Sequence, residues 1–192
     1  MNYPGALEPL ARRLYDTEPR NRHLAADTLR GYAKEPGYQR IVAGLREQLR
    51  VPVIESRIAA VQLLGQLRDP ASVPELIPLA VAPEAELAQA VVSALTVICG
   101  QEFGYDVPGW SQWWRGNYNR PRPAWLLQGL RHPSVDMRRL ANYELQLLTG
   151  MTTHYDPDAH DAEREEKVRM WESWWAHVSG GRASGDSAAA TG

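Results

Sequence analysis

The chain has 192 residues, of which 44% are hydrophobic, and its formal net charge is −2. This length and apolar content allow one large domain or a short repeat array. The near-neutral charge argues against a protein that binds nucleic acid or membranes through its overall electrostatic field. The single cysteine, Cys99, excludes a disulfide framework and a thiolate metal cluster.

Helical periodicity dominates the chain, and prolines fall between the apolar runs. Residues such as Ile58, Val61 and Leu64 recur at helical spacing, and no alternating segment of five or more residues indicates a strand. We therefore expect an all-α protein with helices at about 6–15, 20–33, 37–50, 53–67, 71–81, 84–99, 107–117, 122–130, 133–149 and 161–178. In the ninth of these, the apolar residues that predict the buried face are Leu140, Tyr143, Leu147 and Leu148.

The two ends of the chain carry different expectations. The N-terminal residues contain no apolar stretch long enough for a signal peptide, and no segment approaches the roughly 20 apolar residues of a membrane span. We therefore expect a cytoplasmic protein without a membrane segment. Residues 179–192 are rich in Gly, Ser and Ala, which predicts a disordered tail.

A short pattern repeats at the start of several predicted second helices. An arginine precedes an alanine by three residues at Arg22, Arg57 and Arg138. The fullest copy runs from Arg57 through Gly65 and Asp69-Pro70 to Leu76. Small alanines let neighbouring helices approach, the glycine is interpreted as relaxing the end of its helix, and Asp-Pro makes the turn to the next unit. This spacing indicates two-helix repeats that bury their apolar faces against each other.

Residues 57–79 resemble a HEAT repeat of the short bacterial type found in phycobilisome-lyase-like HEAT proteins. The resemblance covers most of residues 20–178. It implies a right-handed α-solenoid of antiparallel helix pairs, and a binding or scaffold role rather than an enzymatic one.

A second motif occurs twice and contains six of the seven tryptophans. Each copy has a glycine after an apolar run, then Tyr-Asp, then Trp-x-x-Trp-Trp. The copies comprise Gly100, Tyr105, Asp106, Trp110, Trp113 and Trp114, and Gly150, Tyr155, Asp156, Trp171, Trp174 and Trp175. Similar segments occur in uncharacterised bacterial HEAT-repeat proteins.

Two interpretations of the tryptophans stay open at this point. The favoured one is structural: residues 161–178 close a solenoid domain of residues 1–178, because a terminal repeat has no neighbour to cover its apolar end. The alternative is an aromatic surface for a partner, since tryptophan is enriched in binding hot spots. Asp106 is a candidate N-cap, and Asp156 resembles it.

The densest polar cluster lies just before the last predicted helix. His154, Asp156, Asp158 and His160 are weak metal-ligand candidates by residue type. Their spacing matches neither a calcium-binding EF-hand loop nor a His-Glu-x-x-His helix. The sequence also lacks a phosphate-binding glycine loop and a nucleophile elbow, so we predict no catalytic residue and no cofactor.

Nucleic acid is the main rival partner. Arginines lie among tryptophans over residues 113–139, a combination that suits phosphate contacts and base stacking in a glycosylase-like HEAT protein. These residues are Arg115, Arg120, Arg122, Arg131, Arg138 and Arg139, with Trp113, Trp114 and Trp125. The near-zero net charge disfavours this reading. A bilin-lyase role is a lesser alternative, because the presence of one repeat type does not establish an enzymatic activity.

The sequence therefore predicts a monomeric, non-enzymatic scaffold that binds another protein on the curved surface lined by the second helices. The candidate partner surface includes Arg22, Arg57, Arg138 and Arg139. Nearly all basic residues are arginine, which fits either codon bias or selection for bidentate anion contacts.

Overall fold

The computed structural model describes the backbone of residues 4–188 and the side chains of residues 5–179. Within that part of the chain every regular element is a helix, which confirms the predicted all-α class. The chain divides into two compact units, Met1–Tyr118 and Asn119–Gly192, which we call unit 1 and unit 2. The sequence predicted residues 1–178 as one solenoid domain.

The α-helices of unit 1 follow the predicted segments closely, apart from the fifth. Pro19 and Pro36 begin the second and third helices, and the residue before each has an extended backbone. Proline suits this position because the first N–H groups of a helix have no intrahelical acceptor. The helices are α1 (Leu7–Arg13), α2 (Pro19–Arg30), α3 (Pro36–Gln48), α4 (Ile54–Leu67), α5 (Val73–Leu76), α6 (Ala85–Cys99) and α7 (Val107–Asn117).

The segment predicted as one helix over 71–81 is interrupted. A 3-10 turn at Pro70–Ser72 leads into the four-residue α5, and a second 3-10 stretch follows at Ile77–Val81. Pro74 and Pro78 lack the N–H groups that a continuous α-helix would need here. The chain therefore takes the tighter 3-10 form on both sides of one α-helical turn.

The core of unit 1 forms where α4 packs against α6, α3 and α2. Ala25 and Ala60, which follow the repeated arginines, are buried, as their small size predicts. Gly65 has a different role from the one predicted. A Cβ at this position would lie 3.1 Å from both Cα and Cβ of Ala94. Gly65 therefore allows α4 and α6 to approach closely and does not relax the end of α4.

Unit 2 contains α8 (Arg122–Gly129), α9 (Val135–Thr149) and α10 (Asp161–Ala188). Helix α8 packs against both α9 and α10. Leu126, Leu130, Leu145, Val168 and Trp171 are buried in the core that these helices share.

The buried face of α9 is not the predicted one. Tyr143, Leu147 and Leu148 are 53%, 47% and 51% exposed. The buried residues are instead Met137, Arg138, Ala141, Glu144 and Leu145. Apolar periodicity missed this face because two charged residues lie in it. Glu144 is buried in an ion pair with Arg122 at 3.0 Å, and Arg138 donates to backbone carbonyls. Burial of such charges is tolerated only when they are paired and hydrogen-bonded.

The last helix extends past its predicted end at residue 178. Helix α10 continues to Ala188, so the first ten residues of the predicted tail are helical. No proline occurs between 161 and 188, and every backbone N–H is therefore available to the helix. Residues 189–192 of the predicted tail lie outside the described residues. No helix in the described part of the chain is long and apolar enough to cross a membrane.

Candidate functional site

The two copies of the tryptophan motif begin with the same helix end. Gly100 follows α6 with φ 66°, and Gly150 follows α9 with φ 68°. Each glycine N–H donates to the carbonyl four residues earlier, of Thr96 or Gln146, at 2.8 Å. Glycine adopts this left-handed conformation without steric penalty and so ends both helices.

The backbone also turns in the same way four residues later. Gly104 has φ 53° in the first copy, and His154 has φ 53° in the second. A left-handed conformation costs a residue with a Cβ about 1–2 kcal/mol. His154 in the second copy thus has the same left-handed φ as Gly104 in the first copy, although this conformation is unfavourable for a histidine.

The two tyrosines that follow have different environments. Tyr155 is 5% exposed, and its hydroxyl donates to the carbonyl oxygen of Leu130 at 2.6 Å. Burial raises the pKa of Tyr155 above its ordinary value. Tyr105 is 53% exposed, and its hydroxyl donates to Oε1 of Gln89 at 2.7 Å. Only the first copy therefore presents its tyrosine at the surface.

The two aspartates also differ. Asp106 accepts the N–H of Gly109 at 3.1 Å and caps α7, which confirms the predicted N-cap. Asp156 accepts the N–H of Asp158 at 2.9 Å, within the loop that precedes α10. It therefore stabilises a turn in the loop and does not cap a helix.

All six motif tryptophans are buried or half-buried. Trp110 is fully buried, its Nε1 donates to the carbonyl of Gly104 at 2.8 Å, and Phe103 meets it edge-on with ring centroids 5.0 Å apart. Trp171 is also fully buried and packs edge-on against Trp174 at 5.8 Å. Such burial favours the structural interpretation of both motifs. The half-buried members are Trp113, Trp114, Trp174 and Trp175.

The repeated arginines bind the turn that precedes their own helix. Arg22 donates to the carbonyls of Asp16 and Thr17 at 2.9 and 3.0 Å. Arg57 donates to Leu49 at 3.1 Å, and Arg138 to His132 and Pro133 at 2.7 and 2.8 Å. The guanidinium groups thus satisfy carbonyls at the junction of two helices. This common geometry accounts for the repeated arginine without a partner.

Several arginines of the stretch 113–139 are engaged by carboxylates. Arg131 contacts Glu165 and Glu172 at 2.8 and 2.6 Å, and these hydrogen bonds raise the pKa of its guanidinium above the ordinary value. Arg139 pairs with Asp136 and Asp158 at 3.1 and 2.7 Å. Arg122 is in the buried pair with Glu144, and Trp125 is only 2% exposed. These contacts compete with phosphate and base contacts.

The polar cluster at 154–161 is not arranged as a metal site. Asp158 pairs with Arg139, and Asp161 pairs with Arg164 at 2.5 Å. Among the residues whose side chains are described, no group of three or more His, Cys, Asp or Glu could hold a metal ion. The structure therefore does not assemble His154, Asp156, Asp158 and His160 into a ligand set.

Unit 1 has a groove of about 790 Å³ over α2, α4 and α6, and we call it the α4–α6 groove. Most of its lining comes from the facing surfaces of α4 and α6, with His23 from α2 and Tyr105 from the loop after α6. Its lining residues are His23, Ile58, Gln62, Gly65, Gln66, Arg68, Ala85, Glu86, Gln89, Ala90, Ser93, Ala94, Val97 and Tyr105.

Small residues give this groove its depth. The α6 surface carries Ala90, Ser93 and Ala94, and α4 contributes Gly65, which faces Ala94. Short side chains leave the space above the two helices unfilled. Tyr105 forms part of the wall and is oriented by its hydrogen bond to Gln89.

Three of the polar residues that line the groove are glutamines: Gln62, Gln66 and Gln89. Gln62 and Gln66 lie four residues apart on α4 and therefore share one helix face. Gln66 Oε1 is buried, and no residue that the structure describes donates a hydrogen bond to it. The lining includes one arginine and one glutamate, whose formal charges cancel.

Sequence reasoning predicted the second helices as the binding surface but did not identify the glutamines. The available signal was the pair Gln62 and Gln66 on either side of Gly65, in the otherwise apolar stretch from Ile58 to Leu67. A scan of protein-family models and a search of curated proteins both gave no match to this chain.

Proposed function

We propose that this protein is a non-enzymatic interaction module of the HEAT-repeat type, which binds another protein in the α4–α6 groove. The groove on the second helices is the observation that carries the proposal, because helical repeats generate extended concave surfaces of this kind.

The packing order of unit 1 supports an array of two-helix repeats. Helix α1 packs against α2, and α3 packs against α4. The 3-10 segment Ile77–Val81 packs against α6 in the same way. The second helices form a series, since α2 contacts α4 and α4 contacts α6. This order is typical of a solenoid, and the resemblance of 57–79 to HEAT repeats gives it a right-handed sense.

In unit 2 we propose that α10 acts as the closing helix of the pair α8–α9. Its buried residues Val168 and Trp171 lie in a core with Leu126 and Leu130 of α8. A closing helix is needed because a terminal pair has one apolar side that no further repeat covers.

The nucleic-acid alternative receives less support from the described contacts. The guanidinium groups of Arg122, Arg131 and Arg139 are paired with carboxylates, and Trp125 is buried. For the metal-binding alternative, the residues whose side chains are described contain no group of three or more His, Cys, Asp or Glu that could hold a metal ion. The bilin-lyase role stays a lesser alternative. A cytoplasmic location and a monomeric state remain parts of the proposal.

The test is affinity capture from the source cell with matched variants of unit 1. Ser93→Arg places a long cation on an exposed position of the groove, and Ala43→Arg places one on an exposed position of α3 outside it. We expect the wild type and Ala43→Arg to capture the same partner, and Ser93→Arg to lose it. Circular dichroism checks that both variants are folded.

Two results would contradict the proposal. One is equal capture by both variants, which would move the binding surface away from the groove. The other is no partner at all, together with turnover of a substrate by the purified protein. A steep salt dependence of binding to a DNA duplex would favour the nucleic-acid alternative instead.

A further inference from the structure

The starting observation is an exposed apolar surface near the end of α9. Tyr143, Leu147 and Leu148 are 53%, 47% and 51% exposed. They lie within two turns of the helix, and we call these three residues the α9 surface.

The second helices α2, α4, α6 and α9 can be aligned residue by residue. The repeated Arg-x-x-Ala pattern aligns α2, α4 and α9, and the glycines that follow α6 and α9 align those two helices. The aligned helices share one buried leucine: Leu29, Leu64, Leu95 and Leu145. This common core position supports the alignment.

The residue three places after this leucine distinguishes α9 from the other second helices. In unit 1 it is Tyr32, Leu67 or Ile98, and each is buried in the core with at most 8% exposure. The described elements of unit 1 are all helices, so helix packing covers this position. In α9 the same position is Leu148, which is half exposed. The place that helices cover in unit 1 is therefore uncovered at Leu148.

The neighbouring side chains enlarge this apolar surface. Tyr143 and Leu147 are also exposed on α9. The aligned residues are Asp27, Gln62 and Ser93 for Tyr143, and Gly31, Gln66 and Val97 for Leu147. Of the four helices, α9 alone has large apolar side chains at both positions. Because the fold accepts polar residues at the position of Tyr143, packing does not account for an exposed tyrosine there.

We propose that the α9 surface binds an amphipathic helix of a partner protein, whose apolar face covers Leu148 as helix packing covers the aligned residues of unit 1. This inference rests on the proposed role as an interaction module, but not on the α4–α6 groove. It adds a second binding surface, in unit 2, with a different chemistry.

The chemistry of the α9 surface favours a helix over an extended peptide. An extended segment laid on leucine side chains would bury backbone N–H and C=O groups without partners. The Tyr143 hydroxyl is the one polar side-chain group that the three residues offer. A helix satisfies its own backbone groups and brings apolar side chains at i, i+3, i+4 and i+7 to the contact.

Charge and area argue against other occupants. The one charged residue of α9 between 140 and 149 is Glu144, which is buried in its pair with Arg122. This stretch of α9 therefore has no exposed cation to attract nucleic acid or an anionic membrane. Three half-exposed side chains of this size offer on the order of 300 Å². A stable dimer needs about 800 Å² from each copy, so the area suits a weak contact with one helix instead.

The probe is a helical peptide of about 14 residues from a phage library, with an alanine-rich frame and one randomised face. It is selected against the full-length protein, and fluorescence polarisation measures its affinity. Tyr143→Ser and Leu147→Gln introduce the residues found at the aligned positions of α6 and α4, so both variants should fold. We expect each to weaken binding about tenfold, as loss of a central apolar contact does. Leu24→Gln, at a 65% exposed leucine of α2, is the matched control and leaves affinity unchanged.

The conformation of the bound peptide is tested separately. Proline at a central position that faces solvent should weaken binding at least tenfold, because it breaks a helix. Circular dichroism should show a gain of helix on binding. Affinity should change less than about twofold between 0.05 and 0.5 M NaCl, because no ion pair contributes.

Four results would overturn the inference. The first is that no selected peptide responds to Tyr143→Ser or Leu147→Gln, and the second is tolerance of the central proline, which would indicate an extended ligand. The third is a dimer in analytical ultracentrifugation that Leu147→Gln abolishes, and the fourth is binding to anionic vesicles that the same change abolishes. The proposed function fails separately, when protein capture is insensitive to Ser93→Arg.

Discussion

Substitution of Gly65 by alanine tests whether close contact between α4 and α6 determines the stability of unit 1. The added Cβ would lie 3.1 Å from Cα and Cβ of Ala94. Carbon atoms pack best at about 3.5–4.0 Å, so α4 must move away by several tenths of an ångström. The backbone Cα of Ala94 cannot rotate away as the end of a side chain would.

The expected change in the free energy of unfolding combines two opposing effects. Alanine in place of glycine favours a helix by about 1 kcal/mol. Overpacking at a rigid contact costs about 1–3 kcal/mol. We therefore expect Gly65→Ala to destabilise unit 1 by about 1 kcal/mol in spite of the better helix propensity.

Gly44→Ala is the matched control, because Gly44 lies within α3 and an added Cβ there meets nothing within 4 Å. This variant should gain about 0.5–1 kcal/mol. Native-state hydrogen exchange of the α4 and α3 amides, read by mass spectrometry, reports each change within unit 1 alone. Stabilisation by Gly65→Ala equal to that of Gly44→Ala would refute the close-contact argument. Ala94→Gly itself costs about 1 kcal/mol in helix propensity, so a double-mutant cycle is needed: Gly65→Ala should destabilise unit 1 less when Ala94→Gly has removed one of the two contacting atoms.

Three further predictions concern the repeated motif and the first interhelical turn. His154→Gly should stabilise unit 2 by about 0.5–1 kcal/mol, because the His154 backbone is left-handed. Gly104→Ala should destabilise unit 1 by about 1 kcal/mol for the same reason. Thermal unfolding measures both changes, and a change in stability of the same sign in both variants would contradict the shared backbone geometry. Asp106→Ala should cost about 1 kcal/mol through loss of the α7 N-cap, seen as faster amide exchange in the first turn of α7. The backbone N–H of Glu18, then Arg13 and Asn21, lower the pKa of Asp16 to about 2. The contribution of the Asp16 carboxylate to stability is therefore complete above the unfolded-state pKa near 3.8 and is lost as the pH falls through about 2. Asp16→Asn should abolish this part of the pH dependence in acid denaturation. An unchanged dependence of stability on pH in that variant would refute the role of Asp16.

The helices could be predicted because their signals are local. Apolar spacing and the positions of prolines such as Pro19 and Pro36 place helix starts within a residue or two of those observed. The break within 71–81 was missed, although Pro74 and Pro78 were visible, because a proline can also occupy the first turn of a helix. The buried face of α9 was missed because its decisive contact, Glu144 with Arg122, joins residues from different helices.

The candidate site was predictable as a surface but not as a set of residues. The repeat pattern indicated the second helices, which carry the α4–α6 groove. The repeated arginines were predicted to be part of a partner surface. Their hydrogen bonds to backbone carbonyls were not predictable, because these bonds depend on the folded turn before each helix. The burial of Gln66 Oε1 depends on packing around a single atom, which no sequence pattern reports.

The contrast between Tyr105 and Tyr155 bears on how readily this protein can acquire new specificity. A change at Tyr155 removes a buried hydroxyl bond to Leu130, so unit 2 limits what that position can become. The Tyr105 hydroxyl donates to the exposed side chain of Gln89, and Tyr105 lines the groove. The tyrosine position of the second copy is therefore constrained by the fold, whereas that of the first copy lies at the surface. A library randomised at Tyr105 and Gln89 is the natural starting point for redesigning what the groove accepts.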